Sequence, residues 1–360
     1  MGLESVLKYE LKDLGYHQLD VDNGFVAING NLSDIPTLNL WSRIGARVFI
    51  ELPPFQADSF DDLFDAIVAM DWAQWVPVNG RCTIDSVHSK QSNLYSQSDI
   101  QSVTKKAIIE SLKKTYPNTT FSETGPHIPI RLTIHNNTVF VRLDTSGHGL
   151  NKRGYRSRFD APLRETLAAA IIKLSRWNPN EDALLDPCCG SGTILIEAGM
   201  MAQNIAPGLN QRFCSESWPI MAGNHWEKAR DNAKSQMTPT PFRIYGSDIN
   251  PDILKTARIN IKAVGIDGIF VETKPLSDIR SRFQKGKIIC NPPYGIRLED
   301  EATAKALYGQ MSTVFNQHFP DWDYYILSGN TSFEDYFNQK ATKKRKLFNG
   351  PIRCDLYQYF

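Results

Sequence analysis

The hydrophobic pattern of this chain changes character near residues 150–160. Before that point, short helix-like and strand-like pieces alternate without a fixed order. Glu4–Leu14 has helical spacing, Phe25–Ile28 and Val48–Leu52 read as strands, and Phe60–Met70 places Leu63, Ile67 and Met70 on one helical face. Arg81–Ser86 is strand-like, Ser98–Tyr116 is a long helical run, and Ile130–Ile134 and Val139–Leu143 alternate as strands. His135-Asn136-Asn137-Thr138 between the last two predicts a tight hairpin turn. Beyond Pro162 a helix is expected, with Leu163, Leu167, Ala170, Ile171 and Leu174 at helical spacing. Strand-like runs then alternate with helical ones: Leu184–Leu185, Phe242–Tyr245, Ile269–Glu272, Ile288–Cys290 and Tyr325–Leu327. That alternation predicts a parallel sheet with helices packed on it, preceded by an α+β region.

At 360 residues the chain is long enough for two or three domains. The net charge of +1 conceals an uneven distribution. Residues 1–80 carry four basic and twelve acidic side chains, whereas residues 81–160 carry twelve basic and six acidic ones. The basic middle segment is an electrostatic footprint for a polyanion. Lys105, Lys106 and Lys113 lie on the helical run, and Lys152, Arg153, Arg156 and Arg158 follow, interleaved with Tyr155 and Phe159. The lysines alone read as a solvated helix face, but guanidinium and aromatic groups together suit phosphate pairing and base stacking, so these seven cations are the candidate nucleic-acid-binding residues. Asp61, Asp62 and Asp65 read as a solvated first helical turn. The run Lys340, Lys343, Lys344, Arg345 and Lys346 is either a phosphate contact or a solvated loop. No apolar run approaches membrane-spanning length and the N-terminus lacks a signal-peptide core, which leads to the expectation of a cytoplasmic protein. The six cysteines have neither zinc-ligand nor disulfide spacing, so no metal is expected.

Two stretches carry chemistry. Asp186-Pro187-Cys188-Cys189-Gly190-Ser191-Gly192-Thr193 lies between the apolar Ala183–Leu185 and a helical run from Ile194. This is a strand, a glycine turn and a helix in succession, where backbone amides meet a cofactor. Neither the dinucleotide fingerprint nor a phosphate-loop lysine is present. Close glycines behind an acidic residue suit a ligand that needs near backbone approach and has no polyphosphate, which describes S-adenosylmethionine. Asp248-Ile249-Asn250 ends the second strand, where Asp248 either accepts the ribose hydroxyls or caps the helix ahead of Pro251. The 62 residues separating it from Asp186 require an insertion, containing Trp218-Pro219 and Gly223–Trp226. Asp278, beside Ile279, is either an adenine contact or an exposed turn residue.

The second stretch is Asn291-Pro292-Pro293-Tyr294-Gly295, directly after the fourth strand. The prolines stiffen the loop. The Asn291 amide oxygen and the Pro292 carbonyl can accept from a planar exocyclic amino group while Tyr294 stacks on its ring. That grip would point the nitrogen lone pair at a methyl donor.

With both stretches in hand, residues 150–360 resemble the Rossmann-like amino-methyltransferases, and the whole chain resembles the THUMP-domain RNA methylases, including the bacterial 23S rRNA guanine-N2-methyltransferases. The resemblance rests on Lys152–Arg156, Ala161–Ala170, Asp186–Thr193, Trp218-Pro219, Asn291–Gly295 and Asn349–Cys354. It implies an α/β chain whose Rossmann-like class I methyltransferase domain (156–360) is preceded by an α+β THUMP/ferredoxin-like RNA-binding region, divided as a ferredoxin-like unit (1–55) and a THUMP domain (56–155). It accounts for the insertion and implies that Asp186, Cys189, Gly190, Gly192, Asp248, Ile249 and Asp278 line the cofactor site. Ala161 and Pro162 are expected to close that site beside the methionine end. The activity implied is S-adenosylmethionine-dependent methylation of guanine N2 in rRNA, the alternatives being a tRNA guanine-N2 enzyme and, more distantly, an adenine-N6 enzyme.

Overall fold

The computed structural model describes residues 2–117, 120–156, 163–295 and 301–360. Helix α1 (Glu4–Asp13) packs on the hairpin of β1 (Leu19–Asp22) and β2 (Phe25–Ile28), and α2 (Asp34–Trp41) follows. The next elements are β3 (Phe49–Glu51), β4 (Phe55–Gln56), α3 (Phe60–Ala69), β5 (Arg81–Lys90), α4 (Gln97–Thr115), β6 (His127–His135) and β7 (Thr138–Asp144). They form a sheet ordered β3-β7-β6-β5, with β4 also on β7. One face of it, carrying Ile128, Ile130, Leu132, Ile134, Val139, Val141 and Leu143, is buried in the core that Leu63, Ile67, Ile100, Ala107 and Ile108 of α3 and α4 complete. Asp62 closes a capping box with Ser59, which explains the acidic start of α3. Asn136 and Asn137 both adopt positive φ, +49° and +61°, as a two-residue hairpin turn demands.

The second unit comprises α5 (Glu165–Ser175), β8 (Ala183–Asp186), α6 (Thr193–Ala202), α7 (His225–Ser235), β9 (Ile244–Asp248), α8 (Pro251–Val264), β10 (Ile269–Thr273), β11 (Gly286–Cys290), α9 (Glu301–His318), β12 (Asp323–Ser328), α10 (Phe333–Phe337), β13 (Lys343–Asn349) and β14 (Ile352–Tyr359). Its sheet runs β10-β9-β8-β11-β12-β14-β13. Strands β10 to β12 are parallel, and β14 is antiparallel to both its neighbours. The chain steps outward from β8 to β10 and then returns to β11, so the switch in strand order falls between β8 and β11. Ligands of open α/β sheets bind at the carboxyl ends of the strands at such a point.

Three details depart from the sequence pattern. Strand β9 begins two residues later than expected and continues through Gly246 to Asp248. A Cβ on Gly246 would stand 2.4 Å from Leu195, so glycine lets β9 pack directly on α6. The basic run near the C-terminus is not a loop: Lys343–Lys346 belong to the edge strand β13, and Lys344 pairs with Glu334 at 2.7 Å. Charged side chains on an edge discourage pairing with another chain. The insertion between α6 and β9 docks on the first unit through its aromatic residues. Phe213, Trp218, Met221 and Trp226 are buried in the core of the first unit, and the Trp218 indole donates to the His127 carbonyl at 2.8 Å.

Candidate active site

Asp186 ends β8 and is almost completely buried, its Oδ1 accepting from the Cys188 amide at 3.1 Å. Burial pushes its carboxyl up to about 8; the Cys188 N–H works against this and the nearby Asp248 carboxylate adds to it. Burial likewise raises the thiols of Cys188 and Cys189, so both are neutral. The turn is held in shape by Gly190 (φ +52°) and Gly192 (φ +85°). A Cβ on Gly190 would meet no atom of the described residues within 4 Å, which leaves open space among them above the turn. Asn260 donates from α8 to the Ser191 carbonyl at 3.1 Å, and Thr193 opens α6.

Asp248 joins the two cofactor-side strand ends. Its Oδ2 accepts from the Gly190 amide and its Oδ1 from the Asn250 amide, each at 3.0 Å. The cap of α8 is Asn250, whose side chain accepts from Asp252 and Ile253, so Asp248 does not cap that helix. Its carboxylate keeps lone pairs for further donors. Ile249 beside it is 75% exposed, an apolar surface at the strand rim. Asp278, in a 3-10 turn (Leu276–Asp278), is exposed and accepts from its neighbour Ser277, whereas Ile279 is buried. Ala161 and Pro162 lie outside the described residues.

Across the switch point, Asn291 follows β11. Its Oδ1 accepts the Tyr294 hydroxyl at 2.6 Å, and the Cys354 thiol approaches the same hydroxyl at 3.5 Å. Burial raises the Tyr294 phenol further above its ordinary range, so it is a donor. The ring expected to present a free stacking face is half-buried and turned toward Gly329, where a Cβ would come within 2.9 Å of it. Pro292 is buried and Pro293 exposed. The loop is pinned from behind: the buried Tyr308 hydroxyl donates to the Pro293 carbonyl at 2.6 Å and Asn330 donates to the Tyr294 carbonyl at 3.0 Å. Sequence reasoning missed Tyr308, Gly329 and Asn330. A signal was present in Gly329-Asn330, a glycine at a strand end where another backbone approaches closely.

The candidate RNA-binding cations divide. Lys106 and Lys152 are exposed. Lys113 is exposed beside Glu110 at 2.7 Å, and Lys105 is tied to Glu123 and the Cys82 carbonyl. Arg153 is a correction: it is 5% exposed, pairs with Glu197 at 3.2 Å and donates to the carbonyls of Leu150 and Arg43, each at 2.6 Å. Such a guanidinium faces protein on all sides, and its companion Tyr155 is buried as well. Arg156 is also drawn inward, onto Glu165 at 2.9 Å and the Thr193 hydroxyl at 3.2 Å, so it ties the start of α5 to the cofactor turn. Arg158 lies outside the described residues.

A buried acid with no cationic partner among the described residues, an open space over a glycine turn, and carboxylates at the ends of two successive strands suit a cationic amino-acid nucleoside without polyphosphate. With the pinned Asn-Pro-Pro-Tyr loop opposite, the fold and site define a Rossmann-like methyltransferase that uses S-adenosylmethionine. Comparison with known proteins agrees. The RMKL-like methyltransferase domain matches residues 153–358, the THUMP domain residues 57–144, and the RlmL ferredoxin-like domain residues 1–49. The chain belongs to the RMKL-like methyltransferase family. It is 39% identical over 365 residues to a protein of Bacillus subtilis provisionally named RNA methyltransferase YpsC, covering 100% of this chain and 94% of that one. It is 32% identical over 369 residues to the ribosomal RNA large subunit methyltransferase K/L of Desulfotalea psychrophila; the match takes in 99% of this chain and 51%, about half, of that protein. A solved structure of SMU.472, provisionally named a methyltransferase and complexed with S-adenosylhomocysteine, superposes with a TM-score of 0.93 at 37% identity, covering 100% of this chain and 95% of that one. Among the described residues no helix is long and apolar enough to cross a membrane, and no cluster of three His, Cys, Asp or Glu could hold a metal ion.

Proposed function

We propose that this chain methylates the exocyclic N2 amino group of a guanine in 23S ribosomal RNA. The observation that carries the reading is the Asn291–Gly295 loop, fixed by Tyr308 and Asn330 at the end of β11, across the switch point from Asp186. The large-subunit name of the K/L relative, which this chain matches over half that relative's length, supports the choice of rRNA. The residues assigned to the donor are Asp186–Thr193, Asp248–Asn250 and Asp278. Bound S-adenosylmethionine supplies the activated methyl group.

The chain's own part is positioning. Asn291 Oδ1 retains a lone pair besides the one that receives the Tyr294 hydroxyl, and with the Pro292 carbonyl it accepts the two N–H groups of the amino nitrogen. That leaves the nitrogen lone pair directed at the donor, so orientation supplies much of the rate. The nitrogen sheds a proton as, or after, its new bond to carbon forms, so a strong base is not required beforehand. Residues 1–55 and 56–155 deliver the RNA in the cytoplasm, with Lys106, Lys113 and Lys152 exposed for phosphates.

The test incubates purified protein with labelled cofactor and undermodified rRNA, then digests the product to nucleosides. N2-methylguanosine in the rRNA fraction is expected. Label confined to tRNA points to the tRNA guanine-N2 enzyme, and no RNA methylation, or N6-methyladenosine, refutes the assignment. Asn291→Ala should lose turnover while retaining the cofactor; retained turnover would remove Asn291 from the mechanism.

A further inference from the structure

Among the described residues, no α-helix covers the β9–β10 end of the sheet face opposite α6. The Cβ direction of Gly246 points at Leu195 of α6, so the neighbouring Tyr245 points to the other face. Between β10 and β11 only the 3-10 turn Leu276–Asp278 intervenes among the described residues, with no α-helix to cover the strands. Tyr245 and Phe270 are cross-strand partners in register and stack at 5.7 Å with an interplanar angle of 18°. Phe283, from the loop ahead of β11, extends the row, 5.7 Å from Tyr245. Two guanidinium groups, Arg243 and Arg282, each stand 5.1 Å from the Phe283 centroid. Phe270 is 61% exposed and both arginines are exposed.

The charge state of this patch separates it from the aromatic and arginine surface of the first unit. On the open face of the first sheet Arg131 lies over Phe49 and Arg142 over Phe140, yet Arg131 faces Asp144 at 3.4 Å and Arg142 faces Glu51 at 2.6 Å. Among the described residues, Arg243 and Arg282 form no ion pair with a carboxylate. Glu272, the acid two residues beyond Phe270 on the same strand face, is neutralised by Lys274 at 2.7 Å. The patch thus combines an exposed π face with two cations left free for anions. Tyr245 precedes Asp248 by three residues on one strand, so the row begins about 10 Å from the rim where donor and acceptor meet.

We propose that this row is a stacking platform for an unpaired segment of the RNA substrate flanking the target base, with bases on Phe270 and phosphates at Arg243 and Arg282. Every base has a π face, so the platform would hold single strands with little regard to sequence. The inference rests on the RNA reading above.

The test titrates full-length protein into a fluorescent single-stranded RNA of mixed sequence across a salt series, with S-adenosylhomocysteine affinity as the check on folding. Phe270→Ala should weaken RNA binding about five-fold or more, while Phe270→Trp keeps it. The double variant Arg243→Gln/Arg282→Gln should reduce the slope of log K against log salt by about 1.4, the share of two phosphates on a single strand. Unchanged RNA affinity and salt slope in variants that retain S-adenosylhomocysteine binding overturn the platform. So does a change of oligomeric state, seen by sedimentation, without a change in RNA affinity, because the row would then be an interface between copies. If the wild-type protein itself fails to bind RNA, the RNA reading fails first; if it binds and the variants bind equally, only the platform fails.

Discussion

The buried carboxyl of Asp186 predicts that cofactor binding releases a proton. Burial raises this group to about 8 from its ordinary 3.8, so in the free protein at pH 7 it is about nine-tenths protonated. A bound cation favours the carboxylate, which makes the proton leave on binding. Isothermal titration of S-adenosylmethionine in two buffers of different ionisation enthalpy should therefore report about 0.9 proton released at pH 7 and about 0.1 at pH 9, relative to Asp186→Asn, whose subtraction removes the ligand's own amine. Affinity should rise about tenfold per pH unit between roughly 6 and 8 and level off above. The same shift has a stability consequence with a definite sign. A carboxyl raised on folding stabilises fully below its unfolded value near 3.8, and that contribution is lost progressively as pH climbs to about 8. The ligand-free protein should thus melt lower at pH 8 than at pH 5 by more than Asp186→Asn does. Equal proton release by the two proteins, with pH-independent affinity below 8, would refute the account of this acid.

Two further substitutions test the packing around the site. Arg153→Met removes one partner of a buried pair and leaves Glu197 charged without its guanidinium, a loss of about 3–5 kcal/mol; urea unfolding followed by tryptophan fluorescence should show an earlier midpoint, and the double variant Arg153→Met/Glu197→Leu should recover much of it. An unmoved midpoint in the single variant would mean that Glu197 finds another donor. Tyr308→Phe deletes only the hydroxyl that holds the Pro293 carbonyl; losing about 1 kcal/mol of loop positioning should lower kcat about five-fold with S-adenosylhomocysteine affinity unchanged, and an unaltered kcat would show that the loop holds its shape without it.

The two chemical loops were legible because each keeps its meaning locally. Asp186–Thr193 contains its strand end, glycines and helix start in eight consecutive residues, and Asn291–Gly295 carries its stiffness in its own prolines. The Rossmann-like class followed from them together with the strand–helix alternation, whereas the THUMP and ferredoxin-like units came from the family resemblance, the pattern before residue 150 giving only an α+β region. What failed was information held by distant partners. Nothing near Arg153 distinguishes it from the exposed Lys152; its burial is decided by Glu197, 44 positions away, and by the carbonyls of Ser42 and Arg43. Tyr308 was illegible for the same reason, since its bond to the loop spans 15 residues. The basic run of β13 stayed open between two readings because edge-strand charge and solvated-loop charge have the same composition.

The misread arginine bears on how the two halves of the molecule act together. Helix α6 begins at Thr193 of the cofactor turn and carries Glu197 four residues later, a rise of about 6 Å. Glu197 holds Arg153, Arg153 donates to the Arg43 carbonyl, and the buried Arg43 side chain donates to Ile205 beyond the far end of α6 at 2.7 Å. Burial lowers the Arg43 guanidinium to about 10, with Arg153 adding to the shift and Glu197 and Glu10 opposing it, so all four charges belong to one buried group. Glu10 closes the set from α1 by accepting from the Ser42 hydroxyl at 2.8 Å. A cluster of this kind tolerates little displacement, because moving any member strands its partners in a medium that cannot solvate them. The helix that follows the glycine turn is therefore clamped to the first unit, together with the docked Trp218 insertion. On the proposed function, RNA held by the N-terminal units would meet the Asn291 loop in a register set by this charged joint.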